Sequence, residues 1–370
     1  MTALVTVAAG AIAVSKTGTV AAGIVGFSLS NATTLNLLIV VLVRVMNELE
    51  VELQSYHRVN EYAAVEPEEK HDAYKEQGAY SDNPYETVPK NWPRSGEIEF
   101  RDVTIKYDLD GPEILKNINL KFRAGERVAV VGRTGSGKST LMLSLLRFTN
   151  IVSGQIFFDG VDITSFPRKK LREALTIIPQ EAVLFNGDVD SNLDPTSKVP
   201  KEIVEKALEY CRGIASFQFH RDEGHANTAN GNGSTGANDL GVTLSTIVKA
   251  KGENFSHGQR QVLSLCRALV RKSKLMLLDE ATASMDYETD QGIQEVLRKE
   301  LNEHGGDRTL VTIAHRLKTI IDYDRVVVMS AGSVLEVGTP KELYEAKGQF
   351  YDMMRHSGEF EDLEKFLNGT

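Results

Sequence analysis

Val128-Ala129-Val130-Val131-Gly132-Arg133-Thr134-Gly135-Ser136-Gly137-Lys138-Ser139-Thr140 is the stretch on which the fold turns. The apolar run Val128–Val131 does not alternate, so it reads as a strand buried on both faces, as in a parallel sheet. Gly132 to Ser139 fits GxxxxGK[ST], and a helical period follows from Lys138 to about Phe148. A glycine-rich turn between a strand and a helix presents backbone N–H groups and the positive end of the helix dipole to an anion. In such a loop the N–H groups wrap a β-phosphate, Lys138 reaches the β/γ oxygens, and Ser139 offers its hydroxyl to Mg²⁺. The expectation is an α/β nucleotide-binding fold.

Further strands are expected at Ile98–Tyr107, Ile118–Phe122, Ile156–Phe158, Leu175–Ile178, Leu275–Leu278, Leu310–Ile313 and Val326–Met329, with helices over 200–220 and 258–272. Leu275-Met276-Leu277-Leu278-Asp279-Glu280 is an apolar strand ending in two carboxylates, and ligands in such sheets bind at strand ends. Asp279 is placed for the Mg²⁺ shell and Glu280 for orienting or deprotonating the attacking water; phosphoryl transfer asks mainly for charge neutralisation and a positioned nucleophile. Phe255-Ser256-His257-Gly258-Gln259 stands between the loop and this acidic pair. It is a glycine-bearing turn placed to open a helix, so it is a second phosphate grip. A chain with its own phosphate loop has little need of one, which assigns this grip to another domain's nucleotide.

With these residues the sequence resembles an ATP-binding-cassette (ABC) protein over about residues 96–360. The resemblance implies a P-loop NTPase cassette: a parallel core sheet, an antiparallel β subdomain and a helical subdomain, preceded by transmembrane helix. It implies that Gly132, Arg133, Thr134, Gly135, Ser136, Gly137, Lys138, Ser139 and Thr140 bind ATP, that Tyr107 stacks on adenine, and that Gln180 touches Mg²⁺ and signals to the membrane part. It implies that His315 contacts the γ-phosphate, that Ser284-Met285-Asp286 form the D-loop, and that Ser256, His257, Gly258 and Gln259 complete a partner's site. Lys138, Glu280 and His315 are then the catalytic set, and Ser139, Gln180 and Asp279 the Mg²⁺ set. Trp92-Pro93, Ser191-Asn192-Leu193-Asp194-Pro195 and Asp279-Glu280-Ala281-Thr282-Ala283-Ser284 make the chain similar to the second cassette of the C subfamily, the multidrug-resistance-associated type. His257 departs from the usual Ser-Gly-Gly-Gln, and the site it completes is expected to be the less active one.

The chain has 370 residues, 25% charged, with a formal net charge of −9, which argues against nucleic acid as a partner. Its two cysteines, Cys211 and Cys266, form neither a disulfide framework nor a metal spacing. Lys16 and Arg44 are the only charges in residues 1–46, and Val20 to Met46 is long enough to cross a hydrocarbon core of about 30 Å. Ser28, Ser30, Asn31, Thr33, Thr34 and Asn36 interrupt it, as in a helix that faces neighbours or an aqueous path. The expected order is membrane helices over 1–50, a helical extension and proline-bearing linker over 51–95, and a cytoplasmic cassette over 96–360 with a disordered Gly/Asn-rich insert near 221–240. The expected function is an ATP-hydrolysing cassette coupled to solute export by a multi-pass membrane protein. Its partners would be a second nucleotide-binding domain, further transmembrane helices and an unidentified solute. Room for about two membrane helices and one cassette suggests the C-terminal end of a longer protein. The alternatives are a soluble ABC ATPase and a regulatory or channel-like C-subfamily member.

Overall fold

The computed structural model describes residues 2–15, 18, 21–65, 68, 88, 89, 91–214, 242–279, 287–303, 308–314 and 316–368. Met1–Lys70 and His71–Thr370 are two compact units, taken here in turn.

The first unit holds α1 (Thr2–Ser15) and α2 (Ala22–Ala63). α2 has 42 residues, none of them buried, so it extends roughly 63 Å at 1.5 Å per residue. The expected span and its extension are thus one unbroken helix. Among the described residues it is the helix long and apolar enough to cross a membrane. Two of its hydroxyls satisfy themselves locally: Thr33 and Thr34 both donate to the Ser30 carbonyl, at 2.7 and 2.9 Å. Where the apolar run ends, Arg44 meets Glu48 one turn on, at 3.1 Å.

The second unit begins with β1 (Ile98–Lys106), β2 (Leu115–Phe122), β3 (Arg127–Gly132), α3 (Lys138–Leu145), β4 (Asn150–Phe158) and β5 (Val161–Asp162). Next come α4 (Arg168–Ala174), β6 (Leu175–Ile178), β7 (Gly187–Asp188), α5 (Val189–Leu193), α6 (Lys201–Cys211) and β8 (Ile247–Val248). The rest is α7 (His257–Arg271), β9 (Leu275–Asp279), α8 (Tyr287–Glu303), β10 (Thr309–Ile313), β11 (Arg325–Ser330), β12 (Ser333–Gly338), α9 (Pro340–Ala346), α10 (Gln349–His356) and α11 (Phe360–Asn368).

A six-stranded sheet in the order β12-β11-β3-β10-β9-β6 is the frame; all its pairings are parallel except the edge strand β12 against β11. The pleat sorts its unbroken apolar runs onto two cores. Val128, Val130, Leu275, Leu277, Val311, Ile313 and Val327 pack with α3 and the antiparallel sheet. Ala129, Val131, Met276, Leu278, Leu310, Val326 and Val328 pack with the helices of the opposite face. Burial on both faces is why these strands lack alternation. The antiparallel sheet, β2-β1-β4-β5, does alternate: Ile98, Phe100, Val103 and Ile105 are buried. Its β1–β4 pairing shifts register between Arg101 and Thr104, where Asp102 has φ 51. Gly154 opposes that bulge at φ +76, and a Cβ there would lie 2.3 Å from the Arg101 carbonyl oxygen.

The chain enters this unit under restraint. Trp92 lies edge-on to Phe158 and Phe166, at 4.9 and 4.7 Å, and its Nε1 donates to the Phe158 carbonyl at 2.8 Å. Cys211 and Cys266 are buried, unlinked thiols, and burial next to Cys211 pushes the Cys266 thiol well up. The insert near 221–240 and most of the linker between 66 and 90 lie outside the described residues.

Candidate functional site

Parallel pairing brings the carboxyl ends of β3, β10, β9 and β6 to one edge of the six-stranded sheet. From β3 the chain turns through Gly132–Gly137 into α3. Gly137 is the residue before the helix, at φ 101 and ψ 7, and no side chain caps it. A Cβ on Gly137 would fall 2.5 Å from Leu115 Cδ2, in a backbone region L residues avoid, so only glycine fits. The first turn of α3 therefore carries no capping side chain, the arrangement in which helix N–H groups take an anion. Ser136 lies within the loop, 4% exposed, and its Oγ has no hydrogen-bond partner among the described residues. An orphaned buried hydroxyl among backbone donors fits an anionic oxygen. Lys138 is buried, and its Nζ donates to the carbonyls of Gly132 and Arg133 at 2.9 and 3.3 Å, which aims the ammonium back across the loop.

Ser139 and Asp279 come together across 140 residues: Ser139 Oγ donates to Asp279 Oδ1 at 3.4 Å. A hydroxyl and a carboxylate are hard oxygen donors of the kind Mg²⁺ takes alongside phosphate oxygens. The described residues contain no group of three or more His, Cys, Asp or Glu side chains suited to a metal ion. A cation at this edge would take the Asp279 carboxylate together with hydroxyl, amide and phosphate oxygens. Gln180 follows β6 by two residues, at the same edge and exposed.

Tyr107 is 48% exposed just past the end of β1. Its hydroxyl meets Thr140 Oγ1 at 3.0 Å, and Asn150 Nδ2 donates to its carbonyl at 2.7 Å. The ring is thus tied at both ends beside the first turn of α3. Neither tie has a sequence signal, because they join separate elements.

Ser256-His257-Gly258-Gln259 stands elsewhere, at the start of α7. Ser256 Oγ accepts from the Gln259 N–H at 3.2 Å, and Gln259 Oε1 accepts from the Ser256 N–H at 2.9 Å. This is a reciprocal capping box. Both side chains are engaged in starting the helix, which leaves main-chain N–H groups and His257 as the groups this run can offer. The spacing Ser-x-x-Gln carried that signal. His257 Nδ1 is enclosed and has no partner among the described residues.

Glu280, His315 and Ser284-Met285-Asp286 lie outside the described residues. Other groups escaped the sequence reading. Gln261 on α7 donates to the carbonyls of Pro179 and Gln180. Arg267, whose pKa burial lowers with help from nearby Arg271, holds the Val183 and Asn192 carbonyls. A cavity of about 250 Å³ among Asp290, Arg298, Lys318, Asp322, Asp362 and Phe366 mixes both signs of charge and includes none of the expected site residues.

Residues 115–283 match the sequence profile of the family described as ABC transporter. The chain is similar to the ATP-binding cassette transporter abc4 of Schizosaccharomyces pombe, 42% identical over 336 residues, covering 91% of this chain and 21% of that protein. It is 39% identical to ATP-binding cassette sub-family C member 2 of Rattus norvegicus, covering 92% of this chain and 20% of that protein. It is 38% identical to the ATP-dependent bile acid permease of Saccharomyces cerevisiae, with coverages of 92% and 20%. The chain therefore spans about a fifth of the length of these curated relatives. Among solved structures it is similar to a bacterial Atm1-family ABC exporter with ATP bound: TM-score 0.65, 28% identity, 96% of this chain and 56% of that chain.

Proposed function

We propose that this chain, whose residues 115–283 match the ABC transporter family profile, binds and hydrolyses ATP at the carboxyl edge of its six-stranded sheet and couples that hydrolysis to solute export. The observation that carries the reading is the loop Gly132–Ser139 with Ser139 Oγ 3.4 Å from Asp279 Oδ1. In this reading the α3 N–H groups and Lys138 hold the phosphates, and Ser136 Oγ gains the partner it otherwise lacks. Tyr107, tied by Thr140 and Asn150, is the platform for the base. Ser139, Asp279 and Gln180 hold Mg²⁺, which when bound neutralises charge on the β- and γ-phosphates. Glu280, next after Asp279, orients the attacking water, and His315, two residues past β10, contacts the γ-phosphate; both roles rest on the family resemblance. Ser256 to Gln259 serve the nucleotide of a second cassette, contributed by a longer protein or by another copy. α2 crosses the membrane with the cassette on the cytoplasmic side. The solute belongs to the membrane helices and is unidentified.

The test is nucleotide binding and turnover by the whole chain. Wild type binds ATP; Lys138→Ala weakens binding at least about tenfold by removing a charge-assisted contact. Glu280→Gln retains binding while hydrolysis falls about 10²–10⁴-fold. Wild-type turnover in Glu280→Gln would remove that residue from the mechanism, and unaltered affinity in Lys138→Ala would sink the site.

A further inference from the structure

The segment that leaves β6 and carries Gln180 is not self-supporting. It runs from Pro179 to the short strand β7, and side chains from two helices hold its backbone. Gln261 on α7 donates from Nε2 to the Pro179 carbonyl at 3.3 Å and to the Gln180 carbonyl. Further along α7, Arg267 donates from Nη1 to the Val183 carbonyl at 3.1 Å and from Nε to the Asn192 carbonyl at 2.8 Å. Asn192, on α5, accepts from the Phe185 N–H at 2.8 Å and donates to the carbonyls of Phe185 and Asp188, each at 2.9 Å. The main chain around Gln180 is therefore fastened to the helix that begins at Ser256.

Gln261 is the informative member. It is 1% exposed, and its Oε1 is buried with no hydrogen-bond partner among the described residues. A buried amide with half its capacity unmet is unfavourable where an apolar side chain of similar volume would pack freely. Its presence is explained by the two carbonyls it holds. It also lies two residues past Gln259 and five past Ser256 on the same helix, and a helix transmits displacement over so short a length without bending.

The geometry points to Gln261 as a positioning residue. It sets the Gln180 main chain relative to the edge where Ser139 and Asp279 meet, and it ties that position to the partner-facing start of α7. Displacement of Gln180 either shifts Ser256–Gln259 or breaks the Gln261 bonds, so the chain's own site and the site it completes are coupled, and the coupling acts equally in both directions. The inference rests on the reading above that Gln180 serves a Mg²⁺-nucleotide.

The experiment measures ATP affinity of the full chain with and without Mg²⁺, in wild type, Gln261→Met and Gln261→Glu. Met keeps the volume without a donor, and Glu sets an acceptor against two carbonyl acceptors. The expected result is unchanged affinity for Mg²⁺-free ATP and a loss of about 2- to 10-fold in the gain that Mg²⁺ brings, the value of one lost hydrogen bond. An undiminished Mg²⁺ gain in a folded variant overturns the inference. So does an equal loss with and without Mg²⁺, which is the signature of a merely structural amide. Should a variant not fold, hydrogen exchange on the wild-type chain, diluted until monomeric, decides. Mg²⁺-ATP should slow exchange at Gly258–Gln261 more than ATP alone, and no difference there overturns the coupling. A wild-type chain that binds no ATP would instead overturn the nucleotide reading.

Discussion

Asp159 shows how much one carboxylate can organise. Its two oxygens accept from the N–H groups of Arg94, Ser95, Gly96 and Glu97 and from Ser95 Oγ, at 2.6 to 3.3 Å. Partial burial alone would raise its pKa; the Ser95 hydroxyl and the backbone donors outweigh that and hold it below the ordinary 3.8. A depressed folded pKa means that the ionised form carries the stability. The contribution is complete above pH 3.8 and is lost as pH falls through the lower folded value. Asp159→Asn sets an amide NH₂ against backbone donors, and should cost about 1.5 kcal/mol near neutral pH, the scale of a charged hydrogen bond. Thermal unfolding of both proteins should show a Tm gap that narrows below pH 3.8; a gap of constant width would refute the assignment to the ionised carboxylate. Nothing in the sequence marked Asp159, because its partners sit 62 to 65 positions away.

At the scale of elements, α7 is the helix most fully announced by its residues. Ser256 and Gln259 sit at capping-box spacing, and Val262, Leu263, Leu265, Cys266, Leu269 and Val270 supply the buried face. Ser256→Ala should lower unfolding stability by about 1 kcal/mol, with the denaturant m-value unchanged. A neutral substitution would show that tertiary packing alone holds the helix start. α3 makes the contrasting case. Its apolar period continues through Phe148, yet the helix stops at Leu145. Arg147 has φ 55, and its Nη1 donates to the carbonyls of Ile163 and Phe166 at 3.2 and 2.8 Å, so long-range bonds end a helix that local propensity would extend. The strands β7 and β8, two residues each, pair Gly187 with Val248 and Asp188 with Ile247; a two-residue strand has no period to detect.

At the scale of the molecule, the proposed division of labour predicts how activity responds to concentration. The phosphate loop and the Ser256–Gln259 run lie on different elements of one chain, and in the proposed function the run completes another cassette's site. Hydrolysis per chain should therefore be weak in dilute solution and rise with chain concentration. A rate strictly proportional to concentration, at robust turnover, would show that one chain suffices. Carbonate-washed membranes from cells expressing the chain should retain it through α2, whose residues are all unburied. Release into the soluble fraction would favour a soluble ATPase instead.

Sequence by itself determined what is local and periodic. The eight consecutive residues Gly132–Ser139 needed no tertiary information, because a phosphate loop is a contiguous length of backbone between a strand and a helix. The unbroken runs Val128–Val131 and Leu275–Leu278 likewise announced strands buried on both faces. The length and apolarity of α2 were equally plain, since both are read off consecutive residues. The strand order β12-β11-β3-β10-β9-β6 was decided by tertiary structure. That order sets Asp279 against Ser139 and carries Gln180 to the same edge. The contacts of Tyr107 with Thr140, of Gln261 with Gln180 and of Asp159 with Arg94–Glu97 span 33, 81 and 62 to 65 positions. No spacing rule reaches so far, because such pairs are chosen by how sheets and helices pack and not by the chain between them.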